Sequence, residues 1–119
     1  ASYPAGDIGS TLENLGYAAN GEHDEWSVLY PGFAKVAREE GFEDVAVLFE
    51  KIATIEKRHE ERYSKLYDNV KDNKVFKKDE EVEWVCRECG YVHRGTEAPG
   101  ICPVCSHPQS FYQLLEEAY

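Results

Sequence analysis

The sequence predicts a mainly α protein, an antiparallel helix hairpin followed by a small four-cysteine domain at the C-terminus. Three observations predict it. Val45, Phe49, Ile52, Glu56, His59, Tyr63 and Leu66 step alternately by 4 and 3, the pattern of a helix packed against other helices. Leu15, Ala18, Glu22, Glu25 and Leu29 repeat that pattern upstream. All four cysteines fall late in the chain, in two C-x2-C knuckles, Cys86 with Cys89 and Cys102 with Cys105.

Length and charge narrow the classes of function. A chain of 119 residues holds one ordinary domain, or one incomplete domain plus a small metal-stapled module. A net charge of -10 opposes nucleic acid and anionic membrane as partners. The sequence contains no long apolar run and no signal-peptide core, and its cysteines are spaced as metal ligands, so the expected location is the cytoplasm. Met is absent throughout, which fits either removal of an initiator before Ala1 or a piece of a longer protein.

Along the chain, Ala1 to Gly9 read as a linker, with Pro4, Gly6 and Gly9 and little periodicity. Ser10 opens the first helix, and Glu13 three residues on completes a capping box. Pro31 predicts a kink or break, after which Phe33 and Val36 resume the apolar face and Gly41 stops the helix. The second helix is expected from about Glu43 to about Val70. Lys71 to Glu83 is highly charged and reads mostly as a hinge. Short strands are expected at Val82 to Val85, Tyr91 to Arg94 and Phe111 to Gln113, in a segment too small to close a core without a staple.

The two helices carry misplaced polar residues at one level. Glu56 and His59 stand on the apolar seam of the second helix, and Glu22 and Glu25 on that of the first. No Lys or Arg occupies the strict seam, so a cation must come from elsewhere. Glu25 lies 16 residues before Gly41 and Glu56 lies 15 after it, while Glu22 lies 19 before and His59 lies 18 after. At the rise of an α-helix all four meet about 22 to 28 Å from the turn. Three carboxylates and an imidazole in one layer, with a Glu-x-x-His pair one turn apart, predict a metal site in a helical bundle. His23, His93 and His107, with Glu39, Glu40, Glu60 and Glu61, are expected to be solvated, and Tyr63 to pack.

The knuckles are separated by 12 residues and supply four thiolates, a set that suits zinc or iron. Cys89-Gly90-Tyr91 and Cys102-Pro103-Val104-Cys105 resemble rubredoxin, whose C-x-x-C-G-Y and C-P-x-C loops hold one redox-active iron. The loop between the knuckles is shorter than in a typical free-standing rubredoxin. In the helical half, Gly21-Glu22-His23-Asp24-Glu25-Trp26, Leu29-Tyr30-Pro31-Gly32-Phe33-Ala34-Lys35 and Glu56-Lys57-Arg58-His59-Glu60-Glu61-Arg62 resemble rubrerythrin. That resemblance runs from about Ser10 to the C-terminus.

The resemblance implies half of a ferritin-like four-helix bundle over residues 10–71, after a linker at 1–9, then a hinge and rubredoxin-like domain over 72–119. It implies that Glu22 and His59 bind one iron of a non-haem di-iron site and that Glu56 bridges both irons. Glu25 would bind the other iron in the oxidised state, as the mobile catalytic carboxylate. Cys86, Cys89, Cys102 and Cys105 would hold a single iron, and Tyr30 would lie close to the di-iron site. The implied activity is reduction of hydrogen peroxide, with electrons relayed through the cysteine-bound iron from a separate NAD(P)H-dependent reductase. The chain itself contains no nucleotide-binding fingerprint. The departure from the family is that four helices are required and two are present. The other pair should lie N-terminal to Ala1, so either a homodimer or a complementary N-terminal half-bundle chain must complete the site. The rival expectations are a ferroxidase or iron-handling protein, an electron carrier with an incomplete di-iron site, and zinc in place of iron.

Overall fold

A computed structural model describes residues 7–119, which divide into two compact units meeting between Lys71 and Asp72. The expected linker lies mostly outside the described residues. Asp7 to Ser10 have no regular structure.

The first unit is a helix hairpin. Helix α1, Thr11–Asp24, begins at the capping box: the Ser10 side chain accepts from the Glu13 N–H at 3.2 Å, and the Glu13 carboxylate accepts from the Ser10 N–H at 2.7 Å. A π-helical turn, Glu25–Leu29, joins α1 to α2, Tyr30–Glu39. The break expected at Pro31 therefore does not occur. Proline has no N–H to donate, and its ring clashes with the carbonyl four residues back. The wider turn just upstream, where the Tyr30 N–H bonds the Glu25 carbonyl, carries the helix past that position.

The wider turn also rotates α2 about the helix axis. A helix of constant pitch would turn Phe33 and Val36 inward, yet the buried residues of α2 are Ala34 and Ala37. Val36 is half exposed, and Phe33 stays partly covered by the Tyr30 and Phe49 rings, at 5.8 and 5.6 Å. Gly41, at φ +85°, closes the helix with a Schellman motif: the Phe42 N–H reaches the Ala37 carbonyl at 2.8 Å and the Gly41 N–H that of Arg38 at 3.1 Å. Helix α3, Glu43–Lys71, then returns along α2 and α1. Near the turn, Ala34 and Ala37 meet Ala46, which is wholly buried, with Phe49 beside them. Arg38 bridges to α3 through Glu43 and Glu50, at 2.9 and 2.8 Å.

The second unit is a three-stranded antiparallel sheet of order β2-β1-β3, with β1 Lys77–Cys86, β2 Val92–Glu97 and β3 Tyr112–Leu114. Strand β1 begins well before the expected Val82, so the hinge shrinks to the residues before Lys77. Lys77 to Glu81 look like hinge because their side chains are charged. Their backbone is nonetheless extended, and the pairing with β2 shifts register between Lys77 and Val82. The buried core is Trp84, Cys86, Ala98, Cys102 and Tyr112, with Phe76, Val82 and Phe111 packed against it. Two of its five members are expected metal ligands.

Candidate metal centres

In the hairpin, α1 brings Glu22 and α3 brings Glu56 and His59 to one place. One donor atom from each lies within 4.8 Å of the others. His59 turns Nδ1 toward both carboxylates, 2.7 Å from Glu56 Oε2 and 3.6 Å from Glu22 Oε1. Glu22 and Glu56 are largely covered, while the His59 side chain remains 41% exposed, so the seam of this unit is open on one side. Desolvation, and then the Glu56 carboxylate, push the Glu22 carboxyl up to about 7; Glu25 adds to the repulsion and His59 partly offsets it. Glu25, the first residue of the π turn, is partly buried and outside the close trio. Tyr30 packs near Phe33 and Phe49, with ring centres 5.8 and 6.0 Å away.

A cation fits this donor set. Glu22 Oε2 is buried with no hydrogen-bond partner, an arrangement that costs free energy unless something positive meets it. Two carboxylates and an imidazole suit iron.

In the second unit the knuckles are built alike. The Cys86 carbonyl accepts from the Gly90 N–H at 2.8 Å, and the Cys102 carbonyl from the Ser106 N–H at 3.0 Å. Gly90 and Ser106 both lie in the left-handed region, at φ +83° and +63°. The cysteine N–H groups bond the carbonyls of Tyr91 and His107, at 2.9 and 2.8 Å. All four sulfurs lie within 4.8 Å of one another, with Cys86 3.6 Å from Cys105 and Cys89 3.7 Å from Cys102. Those distances are far too long for a disulfide. They match the edge of a tetrahedron with metal–sulfur bonds of about 2.3 Å, which is about 3.8 Å.

The thiols also compete for charge. Cys102 is brought down to about 6: burial opposes its ionisation, but the N–H groups of Cys105 and Val104 and the nearby Tyr112 hydroxyl overcome it. The His107 N–H pulls Cys105 down, yet burial and the three facing thiols push it up to about 12. A metal cation removes that conflict by holding all four as thiolates.

Several side chains expected to be solvated are engaged. His23 Nδ1 bonds Glu60 on α3 at 3.1 Å, and the Trp26 indole N–H donates to the same carboxylate. These hydrogen bonds hold Glu60 below the usual carboxylate range, the Trp26 bond more than the His23 bond. His107 Nδ1 lies 3.2 Å from Cys105 Sγ, and its ring lies 4.5 Å from that of Phe111. Its place two residues after the last cysteine was the available sequence signal. His23 and Glu60 gave none, being 37 residues apart.

Together these features define a non-haem metalloprotein, in which a carboxylate–histidine site on a helix pair accompanies a tetrathiolate site on a small sheet. A family profile described as rubrerythrin matches residues 1–67, and one described as rubrerythrin, rubredoxin-like domain matches residues 84–113. The chain is 50% identical to rubrerythrin of Porphyromonas gingivalis and 51% identical to rubrerythrin-1 of Clostridium acetobutylicum, over all 119 residues in each case. It spans 60% of the length of each of those relatives. Among solved structures it is similar to nigerythrin in a partially reduced state, with a TM-score of 0.52 and 32% identity, covering 93% of this chain and 52% of that one. It is also similar to fully reduced, all-ferrous nigerythrin, with a TM-score of 0.52 and 31% identity, covering 97% of this chain and 54% of that one.

The chain belongs to the rubrerythrin family. Its fold is a portion of a helical bundle and a small antiparallel-sheet rubredoxin-like domain. Its four cysteines are positioned to hold iron, a non-haem di-iron site belongs to the family, and Glu22, Glu56 and His59 fit part of the donor set of such a site. Among the described residues no helix is long and apolar enough to cross a membrane.

Proposed function

We propose that this chain is part of a non-haem di-iron peroxidase that reduces hydrogen peroxide to water in the cytoplasm. The observation that carries the proposal is the trio Glu22, Glu56 and His59, with the buried, unpartnered Glu22 Oε2 among its donors, in a chain that also holds a tetrathiolate site. Two irons when bound supply the two electrons that cleavage of the O–O bond requires, and the thiolate-held iron passes electrons singly.

The protein's own groups do the rest. Glu22 and His59 would hold one iron and Glu56 would bridge the pair, with His59 presenting Nδ1. Glu25 lies near Glu22 outside the trio, at the start of a π turn, a local irregularity of the kind found at functional sites, and would be the carboxylate that changes with oxidation state. Glu22, held near 7 by desolvation and its acidic neighbours, gives up its proton as the cation enters. Cys86, Cys89, Cys102 and Cys105 would hold the single iron, two from the core and two from nearer the surface.

Three donors on one helix pair complete only half of a di-metal site. The remaining ligands would come from helices outside this chain, in a second copy or a complementary half-bundle. A separate NAD(P)H-dependent reductase would deliver the electrons. The test is to reduce the iron-loaded protein anaerobically and compare its reoxidation by peroxide and by dioxygen. Faster reoxidation by peroxide is expected, and its loss in Glu56→Ala and His59→Ala with the cysteine-site colour intact. Faster reoxidation by dioxygen, or turnover of excess ferrous iron without reductant, would replace peroxidase by ferroxidase activity. A colourless protein would assign zinc to the cysteines and end the relay.

A further inference from the structure

Trp26 is the second residue of the π turn, next in the chain to Glu25. Its indole N–H donates to Glu60 on α3. The Lys57 ammonium lies 5.2 Å from its ring centre, and the His23 ring meets it edge-on at 5.2 Å. His23 Nδ1 reaches the same carboxylate at 3.1 and 3.2 Å. One acidic side chain thus gathers two residues that flank Glu25 in sequence.

The clamp and the donors occupy adjacent positions on both helices: Trp26 follows Glu25, and Glu60 follows His59. Glu25 and Trp26 are consecutive residues of one turn, so any rotation of the backbone that moves the indole also moves the neighbouring carboxylate. A π turn is an uncommon conformation that persists where surrounding contacts hold it. Here those contacts are a charge-assisted hydrogen bond and a cation over the ring. The trio of Glu22, Glu56 and His59 has no such dependence, since it lies on regular helix and its donors already converge.

We infer that Trp26 and Glu60 form a positioning clamp that fixes the π turn and so sets how Glu25 is presented to the metal site. The inference rests on the assignment of Glu25 as a ligand.

A double-mutant cycle on the assembled, iron-loaded and oxidised protein tests it, with the rate constants for release of the two ferric ions to a chelator measured and thermal unfolding followed in parallel. Trp26→Phe keeps the ring and removes the donor, and should weaken the hold on one of the two ferric ions, read as release about tenfold faster, while leaving the other unchanged. Glu60→Gln, which retains an acceptor oxygen for the indole, should do less than Glu60→Ala. On a Glu25→Ala background Trp26→Phe should have no further effect. The same weakening on that background would show a merely structural role and overturn the clamp. If Glu25→Ala changes an iron constant and Trp26→Phe changes neither, the clamp alone fails. If Glu25→Ala changes neither constant, the assignment of Glu25 itself fails.

Discussion

Replacing Trp84 by Ala should weaken metal binding at the cysteines although Trp84 is no ligand. Trp84 is 1% exposed, and its core partners include Cys86 and Cys102, so the packing and the site share residues. Its indole N–H also donates to the Gly95 carbonyl at 3.0 Å, holding β2 against β1. Truncating a buried Trp costs about 3–5 kcal/mol. A unit this small has little stability of its own to absorb that loss, while metal binding to such sites supplies about 10–16 kcal/mol. The metal-free unit is then unfolded and the loaded one folded, and the deficit appears in the apparent metal affinity. That deficit is about two to four orders of magnitude. The assay is competition with a chromophoric chelator, with the Gly95 amide signal reporting folding. An affinity within about threefold of the parent would refute the coupling of core and site.

The electrostatics of the two sites set two further outcomes. His107→Ala removes the Nδ1 contact to Cys105 Sγ and should lower the potential of the cysteine site by tens of millivolts, read by spectroelectrochemistry, with 59 mV equal to a tenfold change. In the metal-free protein the Glu22 carboxyl is raised from 4.5 to about 7, so the stabilisation from its protonated form is fully present below 4.5 and lost as pH rises through about 7. The melting temperature of the hairpin should fall across that window. Glu22→Gln should flatten the fall, and a slope unchanged in that variant would assign it to other groups.

The hairpin, the four cysteines and three of the four hairpin donors were legible because their signals are local or periodic, while Glu25 stands outside the close trio. Glu22, Glu56 and His59 break an apolar repeat, and two knuckles of fixed spacing carry the cysteines. The capping box at Ser10 and the stop at Gly41 are single-turn chemistry, readable from a few residues. The π turn was not legible, because a repeat read at constant pitch carries no information about one extra residue; the inward face of α2 was therefore placed one position early, at Phe33 and Val36. The first half of β1 was hidden for a different reason. Its residues carry charged, mostly exposed side chains on an extended backbone, so composition misdescribes it. The Trp26–Glu60 contact depends on the register of two helices, which neither sequence segment specifies alone.

The tight turn at Gly41 has a consequence for the order in which the hairpin forms. Ala37 and Ala46, close to the turn, are nine residues apart, whereas His23 and Glu60 beside the metal donors are 37 apart. Contacts that close short loops form first, since less chain entropy is lost before they are rewarded. The helices therefore zip from the alanine pair outward, and Glu22 meets His59 only after several turns have docked. Metal capture is a late event on this route, and an ion that arrives early finds Glu56 and His59 alone on α3, an incomplete and weaker trap.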